Sequence, residues 1–170
     1  RGNLSFTSIN LPRLAIEAKG NIEEFYKSLD NIMEVVKNQL LHRYKIQCNK
    51  TIKNYPFLMG QGAWMHSDEL GINDNLEPAL KHGTLSIGFI GLAETLKALI
   101  GKHHGESETA QKLGLEIIGH MREYTDKMSE QYNLNFSLLA TPAEGLSGRF
   151  VKMDKERFGV IEGVTDRAYY

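Results

Sequence analysis

The chain has 170 residues, 41% hydrophobic and 24% charged, with 16 Gly, 4 Pro and 1 Cys. That size suits one domain with a sizeable core, and the composition excludes collagen-like, low-complexity and disulfide-stapled chains. With 20 Lys and Arg against 21 Asp and Glu the formal net charge is -1, which gives no basic footprint for a nucleic-acid partner.

The first predicted element is a strand, because Leu4-Ser5-Phe6-Thr7-Ser8-Ile9 alternates apolar and hydroxyl residues with period two until Pro12 limits it. Asn21, with Glu24 three residues on, then opens a helix as an amide cap. Ile22, Phe25, Tyr26, Leu29, Ile32, Met33, Val36 and Leu40 recur at three- and four-residue spacing on one face of it. This long amphipathic helix is predicted to end between Arg43 and Asn49. From Asn54 to Asn75, Pro56, Gly60, Gly62 and Gly71 interrupt any period, so the segment reads as irregular backbone around a partly buried cluster of Phe57, Leu58 and Trp64.

A second strand, Leu85 to Ile90, passes through Gly91 into a helix that stops at Gly101. Ser107 caps a second long helix, marked by Ala110, Leu113, Ile117, Met121, Tyr124 and Met128 and running to about Tyr132. A third strand, Asn135 to Ala140, leads into Thr141-Pro142-Ala143-Glu144-Gly145, a proline-restricted turn that opens a short helix. Strands separated by long helices imply an α/β fold with parallel strands and right-handed crossovers, buried on both faces within a larger assembly.

No apolar run approaches the ~20 residues that span a bilayer, and no signal peptide opens the chain, so the reading is cytoplasmic, without a membrane partner. Cys48 alone forms no internal disulfide and fits a reducing compartment. Lys45 and Lys50 flank it at a frayed helix end, which predicts a somewhat lowered thiol pKa, though a lone cysteine reads first as a small hydrophobe. Gly101-Lys102-His103 fails as a phosphate loop, and Gly60-Gln61-Gly62 lacks the third glycine of a dinucleotide fingerprint. His103-His104-Gly105-Glu106 points its neighbours apart, so no metal ligands are assigned; His82 and His120 read as structural. The turn from Thr141 to Gly145 is the best generic anion site, since a strand feeding a helix start turns backbone amides outward, although a simple helix start explains it equally well.

Four segments taken together point further. Arg1-Gly2-Asn3-Leu4-Ser5-Phe6-Thr7-Ser8-Ile9-Asn10-Leu11-Pro12-Arg13 resembles the RGN-L-x-F-T-x-INLPR segment of the anaerobic ribonucleoside-triphosphate reductases, the oxygen-sensitive glycyl-radical class. Asn54 to Gly62, His82 to Glu94 and Ala140 to Phe150 resemble the same family in order and spacing, so the likeness covers essentially the whole chain. Ser86 to Ala93 also echoes a strand-to-helix stretch of the aerobic reductases.

The resemblance implies a ten-stranded α/β barrel, of which residues 1–170 form an internal segment. It places the finger loop with the thiyl-radical cysteine before Arg1, and the glycyl radical and a cysteine-bound structural zinc beyond Tyr170. Cys48 matches no catalytic cysteine. The implied activity is reduction of ribonucleoside triphosphates, with formate as reductant, a radical activase using S-adenosylmethionine and an iron-sulfur cluster, allosteric nucleotides, and a homodimer.

Residue by residue, Asn3 is implied as a catalytic contact to the ribose. Thr141, through its hydroxyl, and Ala143, Glu144 and Gly145, through their amides, are implied to bind substrate phosphate. The Glu144 carboxylate departs from that role and is expected to turn away, toward Arg149. The alternative is a non-catalytic helical interaction module derived from the same barrel. On either reading each of the three strands is expected to lack a neighbour on at least one side.

Overall fold

In a computed structural model, which describes residues 2–170, the three alternating segments form one sheet: β1 (Asn3–Asn10), β2 (Thr84–Ile90) and β3 (Asn135–Ala140). The strands are parallel and lie in the order β1-β2-β3. The central β2 is therefore paired on both sides, contrary to the expectation for Leu85–Ile90. Each crossover returns over the same face, so successive strands become neighbours.

Helices fill the crossovers. α1 (Leu11–Ala18) and α2 (Ile22–Cys48) follow β1, and α3 (Pro56–Gly60) and α4 (Glu77–Leu80) lead to β2. α5 (Leu92–Ile100) and α6 (Glu108–Tyr132) connect β2 to β3, and α7 (Glu144–Phe158) follows β3. Both predicted caps are made: the Asn21 side chain accepts from the Glu24 amide at 3.1 Å and Ser107 Oγ from the Ala110 amide at 3.1 Å. Each satisfies a donor that has no carbonyl partner within its helix.

Register divides the sheet into two unlike faces. Thr7 and Ile9 pair with Ile87 and Phe89, and these with Leu138 and Ala140, so all share one side. On that side Ile9, Leu85, Ile87 and Phe136 join one buried cluster with Phe25, Leu29, Met33 and Leu40 of α2, Leu96 of α5, and Ile117 and Met121 of α6. The opposite side carries Phe6, Ser8 and Asn10, then Ser86 and Gly88, then Ser137 and Leu139. Its residues are mostly small and polar, and Phe6 stands 47% exposed there.

Four expectations are corrected. Pro12 does more than limit β1: it occupies the first turn of α1, where its missing N–H costs nothing, while the Asn10 side chain caps the Arg13 amide at 3.2 Å. α7 is 15 residues long rather than short, because the face it buries is carried by Ser147, Val151 and Asp154, a spacing with little apolar signal. Phe57 is 79% exposed and Leu58 50% exposed, since Met59, Ile52 and Leu76 fill the small second core and leave them on the outer side of the short α3. Cys48 is buried in that second core, where desolvation pushes its thiol pKa up more than the Tyr44 hydrogen bond lowers it, and Glu77 adds to the rise. The predicted activation by Lys45 and Lys50 is thus reversed.

The helix layer is tied by a polar strip. Lys37, 5% exposed, donates to Glu34 at 2.5 Å and to Tyr132 at 3.4 Å, while Tyr124 donates to the other Glu34 oxygen at 2.6 Å. His120 meets Asp30 at 2.5 Å, the structural role expected of it.

Candidate functional site

Three parallel strands end on one edge of the sheet, where α/β folds place their ligands because loops and helix starts converge there. A cleft of about 650 Å³ opens at that edge, lined by Ile90, Gly91, Thr141, Glu144, Ser147 and Tyr170 among others. The predicted anion turn forms one wall. Thr141 N–H donates to the Phe89 carbonyl at 3.0 Å and extends the β2–β3 ladder by one residue.

The Thr141 hydroxyl lies 2.7 Å from Ser8 Oγ, so β1 and β3 touch across the intervening strand. They meet over Gly88, where a Cβ would collide with Thr141 Oγ1 and approach Ser8 Oγ to 2.7 Å. The glycine is the space that lets the two hydroxyls meet.

Of the amides assigned to phosphate, that of Ala143 is already spent on the Thr141 carbonyl at 3.0 Å. Those of Glu144 and Gly145 open α7 with no carbonyl before them in the helix, and Ala143 supplies no side-chain cap. These two donors and the Thr141 hydroxyl are what the turn offers an anion. Glu144 is exposed, and no ion pair joins it to Arg149. Five residues apart on a helix, the two point about 140° away from each other.

Asn3 sits at the other end of β1. It pairs with Thr84, whereas Ser5 pairs with Leu85, so the irregularity at Leu4 brings Asn3 into phase with Thr84, Ser86 and Gly88 on the open face. It also borders a small cleft with Leu58, Met59 and Trp64. From Asn3 to Asn10 the strand runs about 23 Å, so the turn and the asparagine are not brought together. Between them the open face carries the Ser86–Ser137 hydroxyl pair at 2.9 Å.

Sequence reasoning missed the most enclosed polar cluster of this edge. Asp154 is fully buried and accepts three hydrogen bonds, from Asn10 Nδ2 at 2.8 Å, Arg13 Nε at 2.6 Å and Tyr170 Oη at 2.8 Å. Burial, reinforced by the Asp154 carboxylate, holds the Tyr170 phenol well above its ordinary pKa, so it stays a donor. Beside it Glu94, 6% exposed, receives Arg167 at 2.6 Å, and Ser147 Oγ donates to the Tyr170 carbonyl at 2.8 Å. The segment after α7 is thereby folded back over Gly91, whose φ of 82° at the start of α5 needs a glycine. Asn10 and Arg13 at a strand end were the only cue in the sequence, since their partner lies 141 residues beyond Arg13.

Among the described residues no group of three or more His, Cys, Asp or Glu is placed to hold a metal ion, and no helix is long and apolar enough to cross a membrane. The candidate at His103 to Glu106 closes on itself, with Glu106 accepting from the His103 amide at 2.8 Å and pairing with Lys97 at 2.9 Å.

Comparison with known proteins agrees with this architecture. The family model described as anaerobic ribonucleoside-triphosphate reductase matches residues 1–170. The anaerobic ribonucleoside-triphosphate reductase of Haemophilus influenzae is 38% identical over 173 residues, covering 100% of this chain and 24% of that protein. The enzyme of the same name from Escherichia coli K12 is 36% identical with the same coverage. In structure, the chain is similar to the anaerobic ribonucleotide reductase from Thermotoga maritima in complex with dATP and CTP, with a TM-score of 0.69 at 22% identity, over 99% of this chain and 26% of that one. The chain spans about a quarter of the length of the curated relatives it matches.

Proposed function

The chain belongs to the anaerobic ribonucleoside-triphosphate reductase family, and we propose that it is an internal segment of the catalytic barrel of an enzyme that reduces ribonucleoside triphosphates to deoxyribonucleoside triphosphates. The observation that carries this reading is the cleft at the carboxyl ends of the strands, which Thr141 and Glu144 line where α7 opens on amides without a side-chain cap. Its donors suit a phosphate. The Thermotoga maritima protein of similar fold is in complex with dATP and CTP, which supports nucleotide binding by this fold.

The reaction exchanges the ribose 2'-hydroxyl for hydrogen, with formate giving two electrons and leaving as carbon dioxide while the hydroxyl leaves as water. The radical that opens it, on a cysteine before Arg1, and the glycyl radical, activase and zinc associated with residues beyond Tyr170 complete the proposal, with a cytoplasmic homodimer as the working enzyme. The residues of this chain hold the nucleotide. Asn3 faces the ribose, where a carboxamide both donates to and accepts from hydroxyls that change role during the reaction. The turn fixes the phosphates and so the distance of the ribose from the radical.

Replacing Asn3 by Ala in the activated full-length protein is expected to lower kcat about 100-fold while leaving the unfolding midpoint unchanged, because the residue is exposed. Wild-type turnover would remove Asn3 from the site. Thr141→Val is expected to weaken ribonucleoside-triphosphate binding about tenfold, read by equilibrium binding to the unactivated protein. An unchanged Kd would take the turn out of the phosphate site.

A further inference from the structure

We propose that Arg13 is a further phosphate-binding residue of this nucleotide site, held ready by Asp154; the inference rests on the function proposed above. Arg13 stands in the first turn of α1, just past the end of β1. Its Nε donates to Asp154 Oδ1 at 2.6 Å, and the other carboxylate oxygen is occupied by Asn10 and Tyr170, each at 2.8 Å. A two-pronged contact, in which Nη2 would take the second oxygen, is therefore blocked. Nη1 and Nη2 have no protein partner among the described residues.

Several other arginines spend these groups, while Arg122, which also uses only Nε, meets an exposed carboxylate in Asp126 rather than a buried one. Arg43 gives both to Phe6, Thr7 and Gln39, Arg157 pairs through one with Glu17, and Arg167 pairs through one with Glu94. In the Arg13 pair the carboxylate is 0% exposed and the arginine side chain 26% exposed. The anion lies at the back, and the planar fork, always charged, lies toward solvent.

The adjoining turn argues for an oxyanion as the occupant. Arg13 borders a cleft of about 530 Å³ whose wall is mainly apolar, with Ile9, Val35, Val36 and Phe150, and whose polar members are Ser8, Asn10 and Gln39. Ser8 is the residue whose hydroxyl meets that of Thr141, so this cleft adjoins the phosphate turn through one hydrogen bond. Among the described residues, the only charged side chain lining the turn's own cleft is that of Glu144. A triphosphate there needs a cation from beside it, and Arg13 supplies one whose stem is already ordered by Asp154, which keeps the entropy cost of binding low.

The test uses the full-length protein without radical activation and measures Kd for a ribonucleoside triphosphate and for the corresponding ribonucleoside, in wild type, R13Q, R13K and T141V. The expected result for R13Q is a triphosphate Kd raised about 10- to 100-fold with the nucleoside Kd within about twofold, and partial recovery in R13K. An unchanged triphosphate Kd in R13Q beside a weakened one in T141V overturns the role of Arg13 and leaves the proposed function standing. Unchanged binding in both variants overturns the phosphate turn itself. Equal loss for nucleoside and triphosphate assigns Arg13 to structure alone and also overturns the inference. Should R13Q fail to fold because Asp154 is stranded, R13Q/D154N removes the buried charge and is expected to show the same selective loss.

Discussion

Gly88→Val is expected to destabilise the full-length protein by about 3 kcal/mol, the sum of overpacking and a lost hydrogen bond, and to weaken triphosphate binding with it. The first added carbon already falls on Thr141 Oγ1 and lies 2.7 Å from Ser8 Oγ and 3.3 Å from Ser8 Cα. The hydroxyls can rotate, but the Ser8 backbone cannot retreat, because it is paired to Gly88 within the β1–β2 ladder. The two further methyls of valine then have no room. Gly88→Ala is expected to cost about 1 kcal/mol, since both hydroxyls can rotate away from the added carbon. Thermal unfolding and nucleotide titration of both variants check this, and a valine variant with wild-type melting and affinity would show that Ser8 and Thr141 need not meet.

The strands, the two long helices and their caps were legible because their signals are local. Leu4 to Ile9 repeats every two residues and Phe25 to Leu40 every three or four, and a hydrogen-bonding cap needs only the residue three positions on. α1 carried its own signal, with Asn10 as cap and Pro12 in the first turn, but a proline after a strand reads as a stop before it reads as a start. α7 exceeds its predicted length for a different reason: its buried face is Ser147, Val151 and Asp154, and Gly145 and Gly148 lower its helix propensity. The polar residues on that face are buried because they have partners in distant segments. Periodicity of apolar residues does not register such a face.

The same distinction governs the site. The turn from Thr141 to Gly145 was visible as a strand feeding a proline and a helix, yet which of its amides remain free depends on turn geometry, and that of Ala143 is used within the turn. Asn3 was placed by resemblance, while its facing depends on the irregularity at Leu4, which shifts register by one residue and so changes the side of the sheet. Cys48 departs from the expectation set by its neighbouring lysines because burial is invisible in local sequence, and desolvation is the larger influence on its thiol. Asp154 lies in a polar stretch of α7 with no neighbour in sequence that explains it. Its meaning comes from Asn10, Arg13 and Tyr170, which only the folded chain assembles.

The 170-residue chain on its own is expected to form no deoxyribonucleotide and to self-associate. Abstraction of a ribose hydrogen needs a thiol at the substrate, and Cys48, the last residue of α2, is buried in the second core with a raised pKa. The proposed nucleotide site offers an amide, hydroxyls, backbone donors and a guanidinium, which would bind and orient but carry no radical. For association, β1 and β3 each present one unpaired edge, a template for another strand. Beside the β1 edge, Val35 is 60% exposed on α2 and Phe6 is 47% exposed on the open face, so pairing there also buries apolar surface. The check is an anaerobic assay with radical activase, ribonucleoside triphosphate and formate, run beside sedimentation over a range of concentrations. Any turnover would overturn the reading of this chain as an internal segment. A monomer persisting to about 100 µM would mean that the twist and polar residues of β1 protect its edge without a partner.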